Sequence, residues 1–258
     1  MRAVVVDVTP ITMGMRLPYS YQSRPASLPS PNTFFGALLR AAYLIGGVEA
    51  YERVAEAVDY VAYSVTSPLT IVTTLLRRVR MDYGGYEPGG KNPSNVFQES
   101  FIIPSDRPSF TVTYFVREER DSAEQLRAVL RAASSMSLVG DSDSPANTGG
   151  ARVCEVVEEG DKGVTGFTAL FGTASIVGGE AIIVDAPIMG FKGAASVTMR
   201  RVMRKLVIPA RVRGNVILPS SLAVEARGGA VVVDVCGNKV LLPPASQRSE
   251  LRAEAGLP

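Results

Sequence analysis

Valine alternates with small and polar residues over 2–9, RAVVVDVT, and this period of two predicts a β-strand. The period then changes. Phe35, Leu38, Leu39, Ala42 and Ile45 recur at the spacing of one helical face, which predicts a helix entered near residue 32. Between the two lies a segment with Pro18, Pro25, Pro29 and Pro31. Their rings fix φ at about −65° and remove backbone donors, so this segment is neither helix nor central strand. Asn32, after the last proline, stands at a natural N-cap position. Residues 49–63, EAYERVAEAVDYVAY, predict a second helix with an acidic first half. The β-branched run 68–80 predicts a strand that ends basic, 84–95 is too rich in Gly and Pro for a packed element, and 96–103 and 109–117 predict strands.

A further helix follows. Ser122 and Gln125 fit a capping box, and Leu126, Val129, Leu130 and Ala133 supply its apolar stripe. VGDSDSPANTGG, 139–150, reads as an internal boundary, with strands expected beyond it at 151–157, 181–185, 205–212 and 230–242. The order strand–helix–(helix)–strand–strand–strand–helix, closed by a strand at 151–157, predicts a split β-α-β, the ferredoxin-like topology of RNA-recognition modules. The expected fold class is α+β. A ferredoxin-like domain spans 1–150 and includes a long basic hairpin at about 77–101. A β-rich region at 151–245 completes or extends the sheet, and a polar tail at 246–258 is expected to be loosely held.

Composition narrows the chemistry. The 258 residues are enough to bury a sizeable core, no run of 18 apolar residues suggests a membrane span, and the N-terminus lacks a signal-peptide pattern, so a cytoplasmic protein is expected. The chain has no histidine, and its two cysteines, Cys154 and Cys236, are far apart, which excludes zinc sites built from Cys and His. Both cysteines lie in strand-like runs, as buried free thiols do; a disulfide between them is the alternative. The formal charge of +2 conceals segregation. From 186 to 224 there is no acid, while Lys192, Arg200, Arg201, Arg204, Lys205, Arg211 and Arg213 are all cationic. Between Asp7 and Glu49 the only charges are Arg16, Arg24 and Arg40, whereas 117–161 is predominantly acidic. A local positive field of this kind suits an anionic polymer.

Three groups of residues are candidates for RNA contact. Arg16, Tyr19, Tyr21, Gln22 and Arg24 sit on the proline-stiffened segment, where guanidinium groups and aromatic faces suit phosphates and unstacked bases. Arg77, Arg78, Arg80, Lys91 and Asn92 belong to the hairpin region. Phe191, Lys192, Arg200, Arg201, Arg204 and Lys205 form the third group. If 199–206 is a strand, Arg200 and Arg204 share one face and Arg201 and Lys205 the other; on a helix all four cluster. Gly85 to Asn92 imitates a phosphate-binding G-x-x-x-x-G-K-[ST] loop, but Asn92 replaces the hydroxyl residue and Pro93 obstructs the following helix, so nucleotide hydrolysis is not expected. The G-D-S-D-S-P turn at 140–145 lacks the length and glutamate of a calcium loop and reads as a structural turn. Without histidine or a nucleophile motif, no catalytic, metal or cofactor residue is assigned.

The stretch P-S-P-N-T-F-F-G-A-L-L-R-A at 29–41, after a first strand and a basic loop, resembles the CRISPR-associated Cas-five family. These are small RAMP subunits of type I Cascade complexes, and the archaeal type I-A branch is the most similar. The basic hairpin region from Arg77 to Phe101 and S-L-V-G-D-S-D-S-P at 137–145 fit the same pattern. The resemblance covers the first 150 residues well and the remainder loosely. It implies a non-catalytic subunit that binds the 5′ handle of the guide RNA (crRNA), with the hairpin as a thumb gripping RNA. It implies as partners a Cas-seven-type backbone subunit, whose filament it caps, a large Cas-eight-type subunit, and target DNA as a further contact, with no membrane. One branch of the family processes guide precursors, so a metal-independent endoribonuclease is the first alternative. An unrelated RNA-recognition-like scaffold is the second.

Overall fold

The protein is described here from a computed structural model, in residues 1–16, 28–79, 94–117, 123–140, 144–191 and 200–257. Its elements are β1 (Arg2–Pro10), β2 (Met13–Arg16), α1 (Pro31–Ala57), β3 (Val58–Val65), β4 (Leu69–Val79), β5 (Ser94–Pro104), β6 (Phe110–Val116), α2 (Ala123–Ser134) and β7 (Ala146–Gly160). Short strands β8 (Lys162–Thr165), β9 (Ala169–Leu170) and β10 (Ala174–Gly178) precede the long strands β11 (Ala181–Phe191) and β12 (Arg200–Arg213). The chain continues through β13 (Val216–Pro219), β14 (Leu222–Ala226), β15 (Val231–Val235), β16 (Asn238–Leu242) and α3 (Ala245–Ala255).

The valine run of β1 lies between β6 and β7, antiparallel to both, in a sheet ordered β16-β15-β7-β1-β6-β3. Val4, Val5 and Val6 are fully buried, and β3 and β6 are buried along their whole length. Side chains alternate across a sheet, so unbroken burial means both faces are covered, and apolar residues then run continuously. Helices α1 and α2 pack on this sheet, and β12 and β13 meet β3. A second sheet runs β11-β12-β13-β4-β5-β2, with β9 pairing to β12, and a third, small one runs β10-β14-β8.

Several expectations shift. The helix begins at Pro31 with Ser30 as its cap residue, not Asn32. Ser30 N–H donates to Thr33 Oγ1 at 3.2 Å, and Pro31 at the first helical position needs no donor and has its φ preset. α1 is interrupted at Gly46 and Gly47, the latter at φ +66°. Its second part ends at Ala57, so residues 58–63 belong to strand β3 and not to a helix. VDYVAYSV is β-branched and aromatic, and burial on both faces favours a strand there. By length and composition α1 could cross a membrane. Here its Phe34, Phe35, Leu38 and Leu39 are buried in the core. Residues 69–79 and 94–104 pair as β4 and β5 in the second sheet, from Leu69↔Pro104 to Val79↔Ser94. The boundary expected at 139–150 falls on the start of β7, and β15 and β16 extend the same sheet as β1. The tail expected to be loose from 246 is instead α3, with Leu251, Arg252 and Ala255 buried.

The thiols are joined: Cys154 of β7 and Cys236 form a disulfide with Cα atoms 5.5 Å apart, which overturns the free-thiol expectation. β15 pairs with β7 through Val235↔Val156 and so brings the hairpin turn beside Cys154. Cys236 and Gly237 form that two-residue turn with φ of +54° and +81°, the left-handed pair that favours Asn-Gly. The bridge spans a sequence separation of 82, and loop closure on that scale is worth about 4 kcal/mol in the chain-entropy account. Cys154→Ala/Cys236→Ala is therefore expected to lower the free energy of urea unfolding by about that much. Cys154→Ala/Cys236→Asn should recover about 1 kcal/mol, because Asn tolerates positive φ. Equal midpoints for all three proteins would contradict this account.

Candidate nucleic-acid interface

β12 carries the acid-free basic run as a strand, pairing with β11 from Phe191↔Arg200 to Ala181↔Pro209 and with β13 beyond. Alternation splits the four-cation cluster. Arg201, Met203 and Lys205 are exposed on one face, while Val202 and Leu206 are buried on the other. Arg204 has the buried parity and turns to α3, where its Nη2 meets Glu254 Oε1 at 2.5 Å. Farther along, Arg211 and Arg213 are exposed and share the parity of Arg201 and Lys205. Asp185, also exposed, stands opposite Lys205 on β11 and is the carboxylate nearest in register to this row.

An aromatic side chain that the sequence reading missed lies beside this row. Phe171 is 55% exposed, and Lys205 Nζ lies 5.9 Å from its ring centre. Its position is fixed by backbone. Leu206 and Val207 of β12 pair with Leu170 and Ala169 of β9, and Phe171 N–H donates to the Lys205 carbonyl at 2.9 Å. Gly172 follows at φ +91° and Thr173 N–H donates to the Leu170 carbonyl at 3.2 Å, a type II turn in which only glycine sits easily at the third position. Nothing in the local pattern TALFGT marks this residue, because the pairing that places it comes from a strand more than thirty residues away.

Phe191, expected to stack on a base, is instead a core residue. It is 8% exposed and its ring stacks on Tyr51 at 5.5 Å. Of Arg16, Arg77, Arg78 and Arg200 the backbone is described: they pair with Glu99, Val96, Asn95 and Phe191. Tyr19, Tyr21, Gln22, Arg24, Arg80, Lys91, Asn92 and Lys192 lie outside the described residues. Ser144 Oγ accepts from Gly14 N–H at 2.9 Å and Pro145 O accepts from Ile11 N–H at 2.8 Å, which ties these two residues to the chain between β1 and β2. Asp141, Ser142 and Asp143 lie outside the described residues.

Other surfaces converge less. A shallow groove lined by Ser64, Thr66, Ser220, Ser221 and Lys239 together with Val65, Val164, Phe167 and Pro219 mixes hydroxyls with apolar side chains. The Lys239 ammonium is held by Glu159 at 2.7 Å, a hydrogen bond that raises the lysine's pKa. Among the described residues no three metal-ligating side chains come together. Burial pushes the hydroxyl pKa of Tyr60, Tyr63 and Tyr114 upward, away from what a general base needs.

No protein-family model matches the chain, and no curated protein matches it. Among solved structures it is similar to a CRISPR protein from Archaeoglobus fulgidus, with a TM-score of 0.62, 13% identity, and coverage of 94% of this chain and 99% of that one. It is also similar, at a TM-score of 0.40 and 9% identity over 94% of this chain and 99% of that one, to a chain of the Csm3-Csm4 subcomplex in the type III-A CRISPR-Cas interference complex. The fold defined by these mixed sheets and helices is thus one that a CRISPR protein also has. The Archaeoglobus likeness extends over nearly the whole chain, β-rich C-terminal half included.

Proposed function

We propose that this chain is a non-catalytic, RNA-binding subunit of a CRISPR effector complex, acting in the cytoplasm in antiviral defence. More finely, we read it as a RAMP protein of the Cas-five type in a type I-A-like Cascade. It holds the 5′ handle of the guide RNA, caps a filament of Cas-seven-type subunits, and lies beside a Cas-eight-type large subunit and the target DNA. The order β1-α1-β3-β6-α2-β7, with strands arranged β7-β1-β6-β3, supports a ferredoxin-like core. The β4–β5 pair is inserted in the chain between β3 and β6, the second and third strands of that core in sequence, where a thumb would project.

One observation carries the RNA reading. Arg201, Lys205, Arg211 and Arg213 share one parity of β12 within a stretch free of carboxylates from 186 to 224. The test titrates a 5′-handle oligonucleotide and a scrambled one at several salt concentrations. For Z phosphate contacts on a single strand, log K should fall with log salt at about −0.7Z. Replacing these four residues with alanine should make the slope shallower by roughly 3, and Arg204→Ala should leave it unchanged. A flat dependence for the wild type would remove electrostatic RNA binding. Specific cleavage of repeat RNA in EDTA would replace this reading with the endoribonuclease.

A further inference from the structure

We infer that Phe171 is a stacking platform for an unpaired base of single-stranded RNA, with the Lys205 and Arg201 side chains set to meet the flanking phosphates; this rests on the RNA-binding reading above. Exposed apolar residues scattered singly need no explanation, so the inference depends on what surrounds this ring. The type II turn and the hydrogen bond to the Lys205 carbonyl hold Phe171 in a fixed place, so ordering it on binding costs little entropy. It is 55% exposed, whereas Phe34, Phe35, Phe110, Phe115, Phe167 and Phe191 are buried. Across β12 it meets Lys205, whose Nζ lies 5.9 Å from the ring centre.

The register defines the rest of the surface. Met203 lies two residues before Lys205 on the same face and is 49% exposed. Ile183, opposite Val207, is 52% exposed. An apolar floor with an aromatic ring, bordered by Arg201 and Lys205, is the arrangement single-stranded sites use. Bases stack without regard to sequence while cations follow the backbone. Asp185 opposite Lys205 limits the positive field at that point. A protein surface would also bury Met203 and Ile183. The acid-free run favours the polyanion.

The chain contains no tryptophan, so Phe171→Trp introduces a single reporter at the site. Oligoadenylate, whose bases stack strongly, is expected to quench its emission, and an RNA duplex of equal length is expected not to. Phe171→Ala and Phe171→Leu should keep the wild-type melting temperature and weaken oligoadenylate binding by about five- to a hundred-fold, the range of one base–aromatic contact. Phe171→Trp should bind as well as wild type. If wild type binds RNA with a normal salt slope, yet the tryptophan is not quenched and Phe171→Ala binds equally, the platform is wrong and the RNA-binding reading stands. If wild type binds no RNA, both fall. A shift of the emission on adding the other effector subunits without RNA would overturn the platform and make this face a protein interface.

Discussion

Deleting residues 245–258 is expected to unfold the protein. α3 looks dispensable in sequence, but its Leu251 and Ala255 are each 1% exposed, and Leu257 just beyond it is 9% exposed. Its arginines hold together two parts of the chain nearly two hundred residues earlier. α1 ends without a basic residue in its last turn, so its final carbonyls have neither intrahelical partners nor a nearby cation from the helix itself. Arg252, 4% exposed, donates to Ala55 O at 3.3 Å, to Glu56 O at 3.2 Å and to Val58 O. Arg248 donates through Nε to Asp59 Oδ2 at 2.5 Å, both side chains being nearly buried, and through Nη1 to Pro243 O at 2.6 Å. Losing a buried leucine costs about 2–5 kcal/mol. Stranding a buried carboxylate costs about 3–5 kcal/mol, and each unsatisfied buried carbonyl about 1–3 kcal/mol. Together these approach the whole stability of an ordinary domain, about 5–15 kcal/mol.

The truncated chain should therefore lack a cooperative urea transition. Arg252→Ala alone should shift the unfolding free energy down by about 3 kcal/mol. Arg252→Lys should recover only part of that, because an ammonium cannot span three carbonyls as a planar guanidinium does. A truncated protein that melts cooperatively at the wild-type temperature would show that α3 is an ornament.

These contacts explain which parts of the molecule were legible in sequence. Periodicity located β1, α2, β6 and a strand at 205–212 within β12, because those elements are selected by their own patterns of burial, while 199–206 was open between strand and helix. The strand alternative holds there, and its alternation separates Arg201 and Lys205 from Arg204. What it could not give was Arg204's partner, since Glu254 is fifty residues away on a helix whose composition resembles a solvated tail. Cys236 meets Cys154 only because β15 joins β7, and Phe171 reaches Lys205 only because β9 joins β12. β3 was read as helix because EAYERVAEAVDYVAY sustains a helical period, and two-sided burial in the sheet overrode it. In each case the deciding term was a long-range pairing. The basic face of β12 was legible as charge, while the placing of Phe171 beside it depended on register.

Raising the pH above 10 is expected to unfold the protein steeply, because Tyr60, Tyr63 and Tyr114 are all fully buried. Tyr63 donates to Pro29 O, and Tyr114 to Phe34 O at 3.0 Å, while the Tyr60 hydroxyl has no hydrogen-bond partner among the described residues. Burial raises all three pKa values well above that of free tyrosine; for Tyr60, Arg248 pulls weakly the other way. The unfolded chain releases these protons at about pH 10. The folded chain retains them, so above that pH the unfolded state binds fewer protons and is favoured. The stabilisation is fully present below about pH 10 and is lost as pH rises toward the folded-state values. Each tyrosine contributes a slope of about 1.4 kcal/mol per pH unit, so three give about 4 kcal/mol per unit. Set against about 5–15 kcal/mol in total, that places unfolding one to a few units past pH 10. The three buried tyrosines should ionise together, at the pH where the circular dichroism collapses. Tyr60→Phe removes the unpartnered hydroxyl and should move that collapse to higher pH. If all tyrosinate absorbance instead develops in one reversible phase with the fold preserved, the three rings are not sealed in the core, and the packing of α1 against β3 and β6 described above would have to be redrawn.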